Sequence, residues 1–165
     1  MLPAALALAA AAAPPVAVVP GLGRVAGALS EHSSRVAVFR GIPYAEPPTG
    51  QRRWSAPVPK APWQPATIDA TAFGSSCIQK DKPASVNFTE DCLFLNVWAP
   101  ASAVGTGSKL PVLLFVHGGG YNIGSGALEM VGIVSASEGS VIAVSINYRL
   151  GIFVRASLLC RLCPV

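Results

Sequence analysis

Histidine is almost absent from this chain: His32 and His117 are the only two in 165 residues. Charge is scarce too, with 12 Lys and Arg against 8 Asp and Glu, for a net charge of +4. These shortages exclude several classes of function. Apart from the pair Arg52-Arg53 the basic residues are scattered. No stripe could track phosphates, so no nucleic-acid partner is expected. Cys160 and Cys163 form an isolated C-x-x-C, at most half of a metal or redox motif, and no metal or cofactor is implied. Disorder needs low hydrophobicity and high charge, whereas here 52% of residues are hydrophobic and 12% charged. No apolar run is long enough, free of proline, to span a bilayer comfortably.

The longest apolar run, residues 1–13, is mostly Leu and Ala and is followed by Pro14-Pro15. A run of about 7–15 apolar residues ahead of small ones is the core of a secretory signal. Residues 1–19 are therefore assigned to a signal peptide, with cleavage expected between Ala13 and Val16. No Lys or Arg precedes the run, and an uncleaved anchor or an Ala-rich end are the alternatives. Two features agree with export through the endoplasmic reticulum. Asn87-Phe88-Thr89 is an N-glycosylation sequon. Cys77 and Cys92, 15 residues apart, suit a local disulfide in an oxidising compartment, with two free thiols as the alternative.

Beyond the leader, Arg35-Val36-Ala37-Val38-Phe39-Arg40 alternates as a strand does. It leads into Gly41-Ile42-Pro43-Tyr44 and then Pro47-Pro48, where a fixed irregular segment is expected, because two successive prolines cannot sit in a central strand. Leu93-Phe94-Leu95-Asn96-Val97-Trp98 is a second strand. Pro111-Val112-Leu113-Leu114-Phe115-Val116 and Val141-Ile142-Ala143-Val144-Ser145-Ile146 are continuous apolar runs. Such runs do not alternate, so both faces are expected to be buried, as in a parallel sheet under helices. A short helix around residues 128–135 between them makes a βαβ unit. The fold class is α/β, with an antiparallel ribbon leading into a mostly parallel sheet.

The first apolar run ends in His117-Gly118-Gly119-Gly120. Acyl transfer builds negative charge on a former carbonyl oxygen, and fixed backbone N–H groups stabilise it without reorganising. Aiming two successive N–H groups into a cavity needs unusual dihedrals, which glycine adopts without steric cost. On the tetrapeptide alone, a Gly-rich turn that merely changes direction is an equal alternative.

The flanks bear on that choice. Phe39-Arg40-Gly41-Ile42-Pro43-Tyr44-Ala45-Glu46-Pro47-Pro48, Pro59-Lys60-Ala61-Pro62-Trp63, Glu90-Asp91-Cys92-Leu93-Phe94-Leu95-Asn96-Val97 and Asn147-Tyr148-Arg149-Leu150-Gly151 follow in order around the loop. Together with Gly23-Arg24-Val25-Ala26-Gly27, they resemble the type-B carboxylesterase and cholinesterase family of α/β-hydrolases over residues 20–153. The resemblance implies an ester hydrolase in which Gly119 and Gly120 supply oxyanion N–H groups beside His117 and Gly118, a third donor following the nucleophile. It implies a Cys77–Cys92 disulfide and a buried ion pair between Arg53 and Glu90. For His117 a packing role beside the loop is expected rather than proton transfer.

The family mechanism needs a serine on a G-x-S-x-G elbow, then a carboxylate and a histidine. No G-x-S-x-G occurs in this sequence, and His32 lies in the polar turn Glu31-His32-Ser33-Ser34, where it is expected to be solvated. Residues 154–165 resemble nothing in the family. The chain is expected to be an N-terminal fragment with a non-family tail, inactive alone and poorly soluble, because the strand at 111–116 would lack its neighbour. The segment between Cys77 and Cys92 carries no Trp and only Phe88 as an aromatic, which argues against a choline-binding cation–π site. An uncharged carboxylic ester is the expected substrate. The alternatives are a non-catalytic binding or adhesion relative, and a regulatory product that pairs with a full-length esterase.

Overall fold

The computed structural model describes residues 13–80, 83 and 86–154. The leader core over residues 1–12 and the tail from residue 155, with Cys160 and Cys163, lie outside the described residues.

Ten strands and one α-helix, with three single 3-10 turns, make the described part. They are β1 (Val16–Val19), β2 (Gly23–Ala26), β3 (Ala28–Ser30), β4 (Ser33–Pro43), β5 (Thr67–Asp69), β6 (Ser76–Cys77), β7 (Phe88–Thr89), β8 (Phe94–Pro100), β9 (Val112–Val116), α1 (Val131–Ala136) and β10 (Ile142–Ile146). The main sheet runs β3-β4-β8-β10-β9. Its β9–β10 pair is parallel, while β3–β4, β4–β8 and β8–β10 are antiparallel. The expected βαβ unit is therefore β9, α1 and β10, grafted onto an antiparallel meander. The helix covers 131–136 rather than 128–135, because Leu128 and Met130 sit in the irregular chain that leads into it.

A smaller sheet, β1-β2-β5, lies beside the main one. Val16–Val19 pairs with Gly23–Ala26 inside it. A folded strand thus begins within the stretch assigned to the leader, because its alternating Val and Ala residues find an antiparallel partner a short turn away.

β4 explains how the two sheets are held together. Its residues alternate, and both sets are buried. Val36 and Val38 join Trp98, Met130, Val131, Val134 and Ala143 in a cluster under α1. Ala37, Phe39 and Ile42 join Val25 and Ala70 on the other face, under the smaller sheet. β4 also runs further than its sequence suggests, to Pro43, because a bulge between Phe39 and Ile42 lets it keep its pairing with β8. Gly41 takes φ +68° in that bulge, where a side chain would meet the Ala72 carbonyl at 2.7 Å. The Pro47-Pro48 segment is irregular, as its composition predicts.

β9 departs from expectation. All five of its side chains are exposed, between 38% and 60%. A run of five apolar residues implies cover on both faces, but α1 packs over β4, β8 and β10, and β9 is the edge of the sheet. Among the described residues nothing lies beyond it. β9 therefore presents apolar side chains at an edge of the sheet.

Candidate active site

β9 delivers the chain directly into the glycine loop. His117 is buried, and residues 118–123 are exposed. Each carbonyl of the loop has a donor, from the residues behind it or from the loop itself. Tyr148 donates its hydroxyl to the His117 carbonyl at 2.6 Å. The Gly118 carbonyl takes a hydrogen bond from His117 Nδ1 at 2.9 Å, which requires the tautomer with hydrogen on that nitrogen. The Gly119 carbonyl accepts from the Asn122 and Ile123 amides at 3.1 and 3.2 Å. The Gly120 carbonyl accepts from the Asn122 side chain at 2.9 Å.

In a trans peptide the C=O and the following N–H point in opposite directions. With the carbonyls of Gly118 and Gly119 so held, the N–H groups of Gly119 and Gly120 point away from those donors. Neither donates a hydrogen bond to any described residue. Gly119 and Gly120 reach φ +120° and +58°, and a Cβ at Gly119 would collide with the Ile123 carbonyl. The glycines are thus required by the shape of the loop. Beside them opens a cleft of about 460 Å³, lined by Val116, His117, Gly118, Gly120, Tyr121, Ile146 and Tyr148.

The His117 ring stacks on Tyr148 with centroids 4.3 Å apart and planes 13° from parallel. His32 is exposed at the distant β3–β4 turn. The structure does not bring the two histidines together.

Several supporting residues escaped the sequence reading. Tyr148, in sequence only one residue of the Asn147–Gly151 motif, stacks on the His117 ring and bonds the His117 carbonyl. Asn147 accepts the Gly126 N–H at 2.8 Å and donates to the Ser75 carbonyl at 3.0 Å. Asn96 accepts the Gly41 N–H at 2.8 Å and donates to the Gly126 carbonyl and Ser145. Gln79 binds both polar groups of the Gly124 backbone. Asn96 and Asn147 stand within or beside apolar strands, and a polar residue in such a place demands partners. That signal was available in the sequence; Gln79 in its loop gave none.

Cys77 and Cys92 are joined by a disulfide. Arg53 forks onto Glu90 with two contacts of 2.5 Å. The pair was expected to be buried, but the Arg53 side chain keeps 39% exposure and Glu90 18%. Arg53 extends from a surface turn, so its guanidinium reaches Glu90 from the solvent side. The Glu90 hydrogen bond, and then its charge, raise the Arg53 pKa. Nearby, burial pushes the Asp91 carboxyl up, with Lys60 opposing. Tyr44 is raised by burial against the pull of Arg149, and its hydroxyl donates to the Asn147 carbonyl at 2.8 Å. Asn87 is exposed, and its side chain donates to Ser75.

Comparison with known proteins adds the lineage. Residues 13–158 match the profile of the carboxylesterase family. The chain belongs to that family. The carboxylesterase match starts inside the assigned leader and runs past Phe153, the last residue of the expected family region. Para-nitrobenzyl esterase of Bacillus subtilis is 43% identical over 122 residues, which are 70% of this chain and 24% of that protein. Juvenile hormone esterase of Tribolium castaneum is 40% identical over 137 residues, 79% of this chain and 23% of that protein. Among solved structures, Aspergillus niger EstA superposes with a TM-score of 0.75 at 36% identity, covering 86% of this chain and 27% of EstA. The α/β-hydrolase carboxylesterase fold is therefore present in part. The chain spans about a quarter of the length of these carboxylesterase relatives. No helix among the described residues is long and apolar enough to cross a membrane.

Proposed function

We propose that this chain carries the oxyanion-binding segment of a serine-type carboxylic ester hydrolase, with Gly119 and Gly120 as the donors. The observation that supports this reading most is the set of tied-back carbonyls, which leaves two successive N–H groups facing out of the loop. A donor of this kind lowers the barrier to acyl transfer by roughly 3–4 kcal/mol when a nucleophile is present. The attacking serine, its histidine and its carboxylate are not supplied by these residues: the sequence holds no G-x-S-x-G, and His117 is engaged by Gly118 and Tyr148. The chain alone is therefore inactive. An uncharged acyl ester suits the cleft, whose rim of Val116, Ile146, Tyr121 and Tyr148 is apolar and aromatic. Secretion through the endoplasmic reticulum agrees with the apolar leader, the disulfide and an exposed sequon at Asn87.

The test is a p-nitrophenyl acetate assay on the purified chain, alone and after active-site titration with an organophosphate. Neither turnover above background nor covalent labelling is expected. Turnover that persists through purification and is abolished by one equivalent of inhibitor would place a nucleophile in this chain and sink the reading.

A further inference from the structure

We infer that Gln79 is the positioning residue of the glycine loop, and that through it the Cys77–Cys92 disulfide helps set the direction of the Gly119 N–H. Gln79 stands two residues after Cys77. Its Oε1 accepts the Gly124 N–H at 2.9 Å and its Nε2 donates to the Gly124 carbonyl at 3.0 Å. The same Nε2 donates to the Cys77 carbonyl at 3.2 Å. A flipped carboxamide would set donor against donor and acceptor against acceptor, so the partners fix its orientation.

Gly124 is the piece of backbone on which the loop rests. It takes φ +119°, and a Cβ there would collide with the His117 ring and the Gly118 carbonyl. Where Gly124 sits therefore limits where the His117 ring can sit. The ring in turn holds the Gly118 carbonyl, and that peptide aims the Gly119 N–H. The path runs from Cys77 through the Gln79 carboxamide, Gly124 and His117 to the outward donor. Residues 118–123 are all exposed, so hydrophobic packing does little to hold them and the polar clasp matters more. Gln79 does not line the cleft and touches no reacting atom.

The clasp stands on its own geometry; its consequence for an oxyanion rests on the function proposed above. Amide-resolved hydrogen exchange on the full chain at micromolar concentration tests both. Gln79→Ala should speed exchange at Gly124 and Ile123 about tenfold, as loss of one to two hydrogen bonds implies. Gln79→Glu keeps the acceptor, so it should retain protection at Gly124 N–H while losing the bond to the Gly124 carbonyl. A merely structural role would treat both substitutions alike. Reduction of the disulfide should speed exchange at Ile123 about fivefold in the parent and leave Gln79→Ala unchanged, because contacts in one chain of interactions are not additive. Equal loosening by reduction in both proteins overturns the coupling. Unchanged exchange in a folded Gln79→Ala chain, its fold checked by near-ultraviolet circular dichroism, overturns the clasp. The two glutamine variants decide this even if reduction unfolds the protein. Benzoate, used as a carboxylate probe, separates the two layers: it should slow exchange at Gly119 and Gly120 in the parent, and bind about tenfold more weakly to Gln79→Ala. No protection in the parent overturns the oxyanion reading and leaves the clasp; equal protection in both overturns the positioning role.

Discussion

β8 and β9 both pair with β10, one on each side, and yet they live in different environments. In β8 the Trp98 side chain is completely buried, and Asn96 and Ala99 are nearly so. In β9 no side chain is less than 38% exposed. The sequence of β9 is the more apolar of the two. An apolar run reports what a segment is able to bury, whereas burial itself depends on what lies over it. β8 has α1 on one face and the N-terminal ribbon beyond the other; β9 has a neighbour on one edge alone.

The contrast can be broken by mutation. The largest effect is expected at Trp98. Trp98→Ala should destabilise by about 3–5 kcal/mol in urea unfolding, since it empties the centre of the core under α1. Phe115→Ala in β9 should cost less than about 1 kcal/mol, because a half-exposed ring leaves little cavity. Comparable losses at the two positions would mean that β9 is covered. An intermediate loss, about 1–3 kcal/mol, is expected for Asn96→Ala, which orphans the Gly41 N–H, while the Gly126 carbonyl keeps its bonds from Ser145 and Leu128. An unchanged unfolding midpoint would show that water replaces the amide without cost. The smallest stability change, within about 0.5 kcal/mol, belongs to Leu114→Lys. Its effect should appear instead as a higher concentration limit for monomer in light scattering, because a lysine on an open strand edge blocks pairing with another chain. If Leu114→Lys aggregates as readily as the parent, the exposed edge is not the source of association.

Much of the architecture was legible in the residues. Val36 to Phe39 alternate and fill two clusters, as a strand with cover on both faces must. The two apolar runs around a short helix gave a parallel pair. What escaped was whatever depends on distant partners. Pro43 stays in strand because β8 pairs past a bulge, and no window around Pro43 carries that information. Apolar composition is shared by signal peptides and strands, so the pairing of Val16–Val19 with β2 is not written in its local sequence. At the site, the glycines were legible through their dihedral demands. Gln79 was not, because its role comes from a fold that brings residue 79 to residue 124.

The register of β9 on β10 acts as a vernier. Val116 lies opposite Ile146, so His117 and Tyr148 emerge from the same end of two parallel strands, one step apart. A slip of one residue would displace them by about 3.3 Å and turn Tyr148 to the other face of the sheet. The ring stack and the hydroxyl bond to the His117 carbonyl would both vanish. The alignment of the loop is thus measured out in whole residues along the strands. A single-residue deletion within β9 or β10 should dismantle it, whereas one in the loop at residues 105–109, which no strand counts, should leave it standing.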